Sequence, residues 1–242
     1  MKGCILPLLQ LADSGFPTGA FSHSFGLETA LAEKTVSDVY SLQRWLEDLL
    51  RGSFATMEAP GVYFSYYLVT EYMERFSDLP ARTEFEQSIA LLDYRLTLSK
   101  LARESREGST KIGRQYLRMT LELYPHSHLQ LYDAMIRKGI CYGNGAIVHG
   151  FVCAYLGIDQ KLAIATYLYS AVNALVQNAV RATVIGQTEG QKTLASLFPA
   201  LEDIALDLVK QPPAFFHLAN AAIFHEIQGM RHETLYSRLF MS

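Results

Sequence analysis

"LAIATYLYSAVNALVQNAV", residues 162–180, contains no charged side chain and is nearly as long as a bilayer span. Its reading therefore decides between a membrane protein and a helical globule. Thr166, Ser170, Asn173 and Gln177 follow one another at steps of four, three and four, which gathers them on one side of a helix. A lipid-facing helix disfavours such a polar stripe. The segment is read instead as a helix buried in the core on one side and set against another helix or a second subunit on the other. Thr166, Tyr167, Tyr169, Ser170, Asn173 and Gln177 form the expected contact of a symmetric dimer.

Outward from this segment the chain keeps helical spacing, interrupted by proline and glycine. Ser37 or Asp38 is the expected cap for a helix on which Val39, Leu42, Trp45, Leu46 and Leu49 recur, ending near Gly52. Pro60 opens an aromatic-rich helix running to about Phe76. Leu79 and Pro80 break the pattern, and Phe85, Ile89, Leu92 and Leu96 mark a long helix from about Thr83 to Ser105. Further helices are expected over Lys111 to Leu123, from after Pro125 to Lys138, and through "GICYGNGAIVHG" to Leu156. Others follow at "QTEGQKTLASL", at Leu201 to Val209, and from about Ala214 toward Gly229. Neither strand alternation nor an internal repeat is evident. The expected fold is all-α, residues 1–242 forming a single-domain bundle of roughly ten helices.

Composition narrows the function. The chain has 242 residues, of which 50% are hydrophobic, enough for one sizeable core. Twenty-one Lys plus Arg against 24 Asp plus Glu leave a net charge of -3, which offers no electrostatic reason to bind nucleic acid. Cys4, Cys141 and Cys153 are odd in number and form no CxxC pair, as suits structural thiols in the cytoplasm. The opening "MKGCILPLLQLADSGFP" is broken by Pro7 and reads as mature sequence rather than a secretory signal.

Catalytic patterns fail one after another. "GAFSHSFG" lacks the glycine two residues before Ser24 that a nucleophile elbow needs, so Thr18, Ser22 and Ser24 are read as helix-capping residues, with Glu28 favoured in the first turn. "GNGAIVHG" lacks the lysine and hydroxyl of a P-loop, and His225–Glu226 is followed by Gly229 where a zinc protease motif needs histidine. His126 and His128 make an H-x-H with no nearby third ligand and read as a solvated loop, while "RESREG" at 103–108 reads as an exposed helix end. A metal-dependent helical enzyme using His23, His225 or His232 is the alternative from another functional class.

The final stretch, "HETLYSRLFMS" at 232–242, stands apart because chain ends are usually polar. Leu235, Tyr236, Ser237, Arg238, Leu239, Phe240 and Met241 make a tail of the residue types that build interface cores. It either folds back onto its own domain or docks a partner.

Together, "FPTGAFSHSFGLE" at 16–28, "RESREGSTKIGRQYL" at 103–117, "GQTEGQK" at 186–192 and the terminal "HETLYSRLFMS" resemble the UreF-type urease accessory proteins, in order over nearly the whole chain. The resemblance implies an all-helical cytoplasmic homodimer with no catalysis and no cofactor of its own. It would assemble with a UreD-type (UreH-type) accessory protein and the GTPase UreG to deliver nickel to apo-urease. Nickel would be handled by the complex and not held tightly by this chain. Phe16, Pro17 and His23 then join the tail as expected partner-binding residues.

Overall fold

The computed structural model describes residues 5–215 and 217–242, so Cys4 lies outside the described residues. Twelve α-helices account for most of these residues, and there is no strand among them. In chain order they are α1 (Ile5–Ala12), α2 (Leu27–Ala32), α3 (Val39–Leu49), α4 (Ala59–Tyr72), α5 (Leu79–Leu98) and α6 (Arg103–Leu123), then α7 (Ser127–Arg137), α8 (Gly145–Tyr155), α9 (Gln160–Arg181), α10 (Gln187–Ser196), α11 (Phe198–Lys210) and α12 (Ile223–His232). No helix among the described residues is long and apolar enough to cross a membrane.

The core is built around α8, in which every residue from Ala146 to Ala154 is buried. Helices α4, α6, α7 and α9 surround it. The crossing with α4 needs glycine: a Cβ on Gly150 would come within 2.7 Å of the Val62 carbonyl. Residues from Leu8 to Ala222 share one hydrophobic cluster.

Several boundaries follow from contacts between distant parts of the chain. Asp38 caps α3 in a reciprocal box with Ser41, as its position suggests. That helix does not stop at Gly52. A π-helical stretch, Leu50–Glu58, joins it to α4, and the Ala59 N–H reaches five residues back to the Phe54 carbonyl. Pro60, which has no N–H to donate, falls in the first turn of α4 just after this wider winding. Gly52 lets the chain after α11 approach: its carbonyl accepts from the Ala221 N–H, and a Cβ there would meet Ala222 at 3.0 Å.

The helix expected from Thr83 to Ser105 is two helices. Residues 99–102 break between α5 and α6 because other groups take their backbone bonds: Glu226 accepts from the Ala102 N–H, Asn220 donates to Ser99, and Arg106 donates to Lys100 and Leu101. The last helix starts at Ile223 rather than near Ala214, since Pro212, Pro213 and the Ala221–Gly52 bond hold the preceding chain extended or turned. Nor are His126 and His128 a solvated loop. Both are buried, His126 stacked on Tyr155 at 4.4 Å and His128 against Phe76 at 4.0 Å.

Candidate docking site

Three of the sequence motifs, at 16–28, 103–117 and 232–242, meet on one face. The turn at Phe25 and Gly26 has positive φ at both residues, 50° and 92°, and just before it the Ser24 and Phe25 N–H groups donate to the Ser242 oxygen. Gly26 is also pressed against α12, where a Cβ would lie 2.9 Å from the His225 carbonyl. Of the expected capping residues, Ser24 accepts from the Glu28 N–H at 3.3 Å, whereas Thr18 accepts from Ala20 in a 3₁₀ turn over Ala20–Ser22. The "RESREG" motif opens α6 alongside. Gly108 leaves room for the His23 ring, and Gly229 lets α12 cross α6 at Ala102 and Ser105.

The tail folds back onto this surface, one of the two alternatives open from the sequence. Glu28 accepts from the N–H groups of Leu239 (2.5 Å) and Phe240 (3.1 Å). His232, with no solvent exposure, lies between Glu104 (Nδ1, 2.6 Å) and Glu28 (Nε2, 2.8 Å). Glu104 also accepts from Arg238 at 2.9 Å, and Arg103 pairs with Glu233. The RESREG run is therefore exposed at Arg103 and Glu107, while Glu104 holds the tail.

Tail side chains divide by direction. Phe240 is buried beneath Arg181, whose guanidinium lies 5.2 Å from its ring, and Ser242 is buried beyond it. Tyr236, Ser237, Arg238, Leu239 and Met241 are exposed, and Leu235 is half-buried. Of the other expected partner residues, Pro17 is exposed, Phe16 packs edge-on against Tyr116, and His23 lies beneath the tail. Burial, with a contribution from the Lys111 charge, holds His23 below its ordinary pKa. Pro17 and Phe21 border an open groove of about 920 Å³ with Lys111, Arg114 and Arg118 along one side of α6.

Behind the motif surface lies a second cavity of about 480 Å³. The buried Glu58 side chain reaches it from the end of the π-helical stretch. Burial opposes ionisation of Glu58, but the Lys100 ammonium at 2.5 Å and a hydrogen bond from the Tyr167 hydroxyl at 2.7 Å hold its pKa below the ordinary value. The polar stripe of α9 faces this interior more than the outside. Ser170, Asn173 and Gln177 line the cavity, Ser170 donates to Ala12 of α1, and the Thr166 hydroxyl donates to Leu162 and lies 3.3 Å from His149. The two tyrosines part company: Tyr167 turns in to Glu58, while Tyr169 faces Phe198 of α11.

The three histidines of the enzyme alternative are each engaged separately. His23 Nδ1 shares a hydrogen with Ser242 Oγ, His225 Nε2 donates to the Trp45 carbonyl beside its indole ring, and His232 bridges two carboxylates. No group of three or more His, Cys, Asp or Glu among the described residues is placed to hold a metal ion. Cys141 and Cys153 are buried free thiols whose pKa burial pushes up.

The sequence does not mark Glu28, Glu104 and Arg181 as tail-holding residues, because a carboxylate at a helix start or a cation at a helix end has a local explanation. The fourth motif, "GQTEGQK", lies elsewhere, on α10 against α9.

Fold and site together define an all-helical protein in which three separate stretches of the chain meet on one face. The chain belongs to the UreF family: the UreF family model matches residues 36–198. It is 36% identical to the urease accessory protein UreF of Bacillus sp. (strain TB-90), over 98% of this chain and 99% of that one. Identity is 37% to the protein of the same name from Lachnoclostridium phytofermentans, covering both chains fully, and 34% to that of Streptococcus thermophilus, over 98% and 94%. These relatives are named for an accessory role, not for an enzyme. Their alignments extend over the two terminal motifs, which the family model leaves outside its match.

Proposed function

We propose that this chain is a urease accessory protein that works as an assembly scaffold in the cytoplasm. Residues 1–242 act as one domain. As a homodimer, it docks a UreD-type (UreH-type) accessory protein through Tyr236, Leu239 and Met241 of the tail together with Pro17, and the resulting complex recruits the GTPase UreG and engages apo-urease. Nickel is the cargo of that complex, and this chain neither holds it tightly nor uses a cofactor. The dimer contact involves α9 and the elements beside it, with Tyr169 on the outer side of the stripe.

The observation that supports this reading is the convergence of the first, second and last motifs on one face with apolar side chains still directed outward. Exposed aromatic, Met and Arg residues around buried anchors are the composition of a docking surface. Co-purification is the direct test. The tagged chain should bring down the UreD-type protein at once, and UreG only when that partner is present. Light scattering of the isolated chain should give twice the chain mass. Failure to capture the UreD-type protein would overturn the scaffold reading.

A further inference from the structure

We propose that the open groove between α6 and residues 17–21 binds an extended acidic segment of a partner protein. Lys111, Arg114 and Arg118 of α6 line one side of this groove of about 920 Å³, and Pro17 and Phe21 line the other. All three cations are exposed, and none is ion-paired among the described residues. The carboxylate beside them, Glu107, is paired with Arg103 at 3.5 Å. A row of uncompensated positive charge, in a chain whose net charge is -3, is complementary to an anion supplied from outside.

Both walls of the groove are held from behind. Arg114 Nε donates to the Tyr142 carbonyl at 2.7 Å, which leaves the amino groups of the guanidinium to pair with a carboxylate. Tyr142 is fixed in turn, because the buried Asp93 carboxylate accepts from its N–H at 2.5 Å and from the Gly143 N–H at 3.2 Å. This loop lies directly on α6, where a Cβ on Gly113 would collide with the Gly143 carbonyl. An arginine placed beforehand loses less freedom on binding than an ordinary surface arginine. On the opposite wall Phe21 is 61% exposed, yet Arg181 of α9 donates to its carbonyl at 2.5 Å and covers its ring.

Spacing selects the occupant. From Lys111 to Arg118 is two turns of helix, about 10 Å, too far for one small anion to touch all three cations. An extended peptide carries alternate side chains on one side at intervals of about 7 Å. Acidic side chains at alternate positions therefore meet the cations, while the apolar ones between them face Pro17 and Phe21.

This inference does not depend on the tail docking a UreD-type protein, and its test omits that protein, so either reading can fail alone. The full chain is titrated into a fluorescein-labelled peptide of alternating glutamate and leucine, six residues long, and followed by fluorescence anisotropy; a glutamine–leucine peptide of the same length is the control. The acidic peptide should bind and the control should not, and binding should weaken steeply as salt rises. Lys111→Ala with Arg118→Ala should weaken it by about tenfold. Arg114→Lys keeps the charge but loses the planar fork, and should weaken it by about threefold. Both variants should keep the wild-type denaturation midpoint, since these side chains are exposed. Equal binding of the two peptides, wild-type affinity in the double variant, or displacement of the acidic peptide by inorganic phosphate or a thymidine oligonucleotide more readily than by its own unlabelled form would each overturn the assignment.

Discussion

Helix α8 and the C-terminal tail are both packed onto the rest of the chain, but by opposite means. Helix α8 is surrounded on all sides, and its position is set by non-directional burial of Ile147, Val148, Phe151 and Val152. The tail has one buried apolar anchor, Phe240, lying under the Arg181 guanidinium, and is otherwise placed by directed polar bonds, which it donates to the Glu28 and Glu104 carboxylates and accepts from Ser24. Such bonds return modest net stability in water, about 1–3 kcal/mol each, because solvent can replace them. The difference teaches where each region can give way: α8 moves only when the whole fold opens, whereas the tail can exchange its contacts for equivalent ones on another surface.

The largest effect that would break this contrast is expected in α8. Phe151→Ala should cost about 3–5 kcal/mol in chemical denaturation, since the ring packs against Phe85 and Tyr132 and would leave a cavity. A loss under about 1 kcal/mol would mean that α8 is no more tightly set than the tail.

Acid should strike the same core next. Burial holds His126, His128 and His149 at a pKa of about 4, against 6.5 in the unfolded chain. His126 has neither ring nitrogen bonded, and His128 Nε2 is likewise without a partner in the structure. Between those two values the unfolded chain binds more protons, so stability is full above about pH 6.5 and falls as the pH drops toward 4. Each histidine contributes a slope of about 1 kcal/mol per pH unit, giving the His126–His128 pair about 2 kcal/mol between pH 6.5 and 5.5. Denaturation midpoints measured across this range should show the slope, and His126→Phe with His128→Phe should flatten it. An unchanged slope in that double variant would place the acid sensitivity elsewhere.

What the sequence revealed follows the same division. Helices whose stability depends on a periodic apolar face, such as α3 with its Asp38 cap, α7, α8 and α9, were legible because periodicity and capping are local. The break at 99–102, the π-helical join and the late start of α12 were not, because Glu226, Ala221 and Gly52 decide them from distant parts of the chain. The burial of His126 and His128 was missed for the same reason, since their covers, Tyr155 and Phe76, belong to other elements. At the docking site the motifs themselves were visible. Their meeting was not, and Glu28 and Glu104 have ordinary helix-start explanations until the tail is seen against them.

The smallest effect on stability should accompany the sharpest effect on function, and it separates the two sides of the tail. Leu239 and Met241 alternate with buried Phe240 and Ser242, and each is more than half exposed. Replacing both outward residues, Leu239→Ser with Met241→Ser, removes little that the isolated chain uses, so the denaturation midpoint should shift by less than about 0.5 kcal/mol. The peptide bonds that Glu28 holds at positions 239 and 240 are untouched by these changes. On a partner surface, however, each side chain would bury its full apolar area, worth about 1.5–3 kcal/mol before ordering costs. The double variant should therefore capture the UreD-type protein at least about tenfold more weakly while exchanging Ser24 and Phe25 amides at the wild-type rate. Wild-type capture would show that the outward face is not what the partner reads. Faster exchange at Ser24 would show that the two sides of the tail are not independent, and that the directed bonds alone do not hold it.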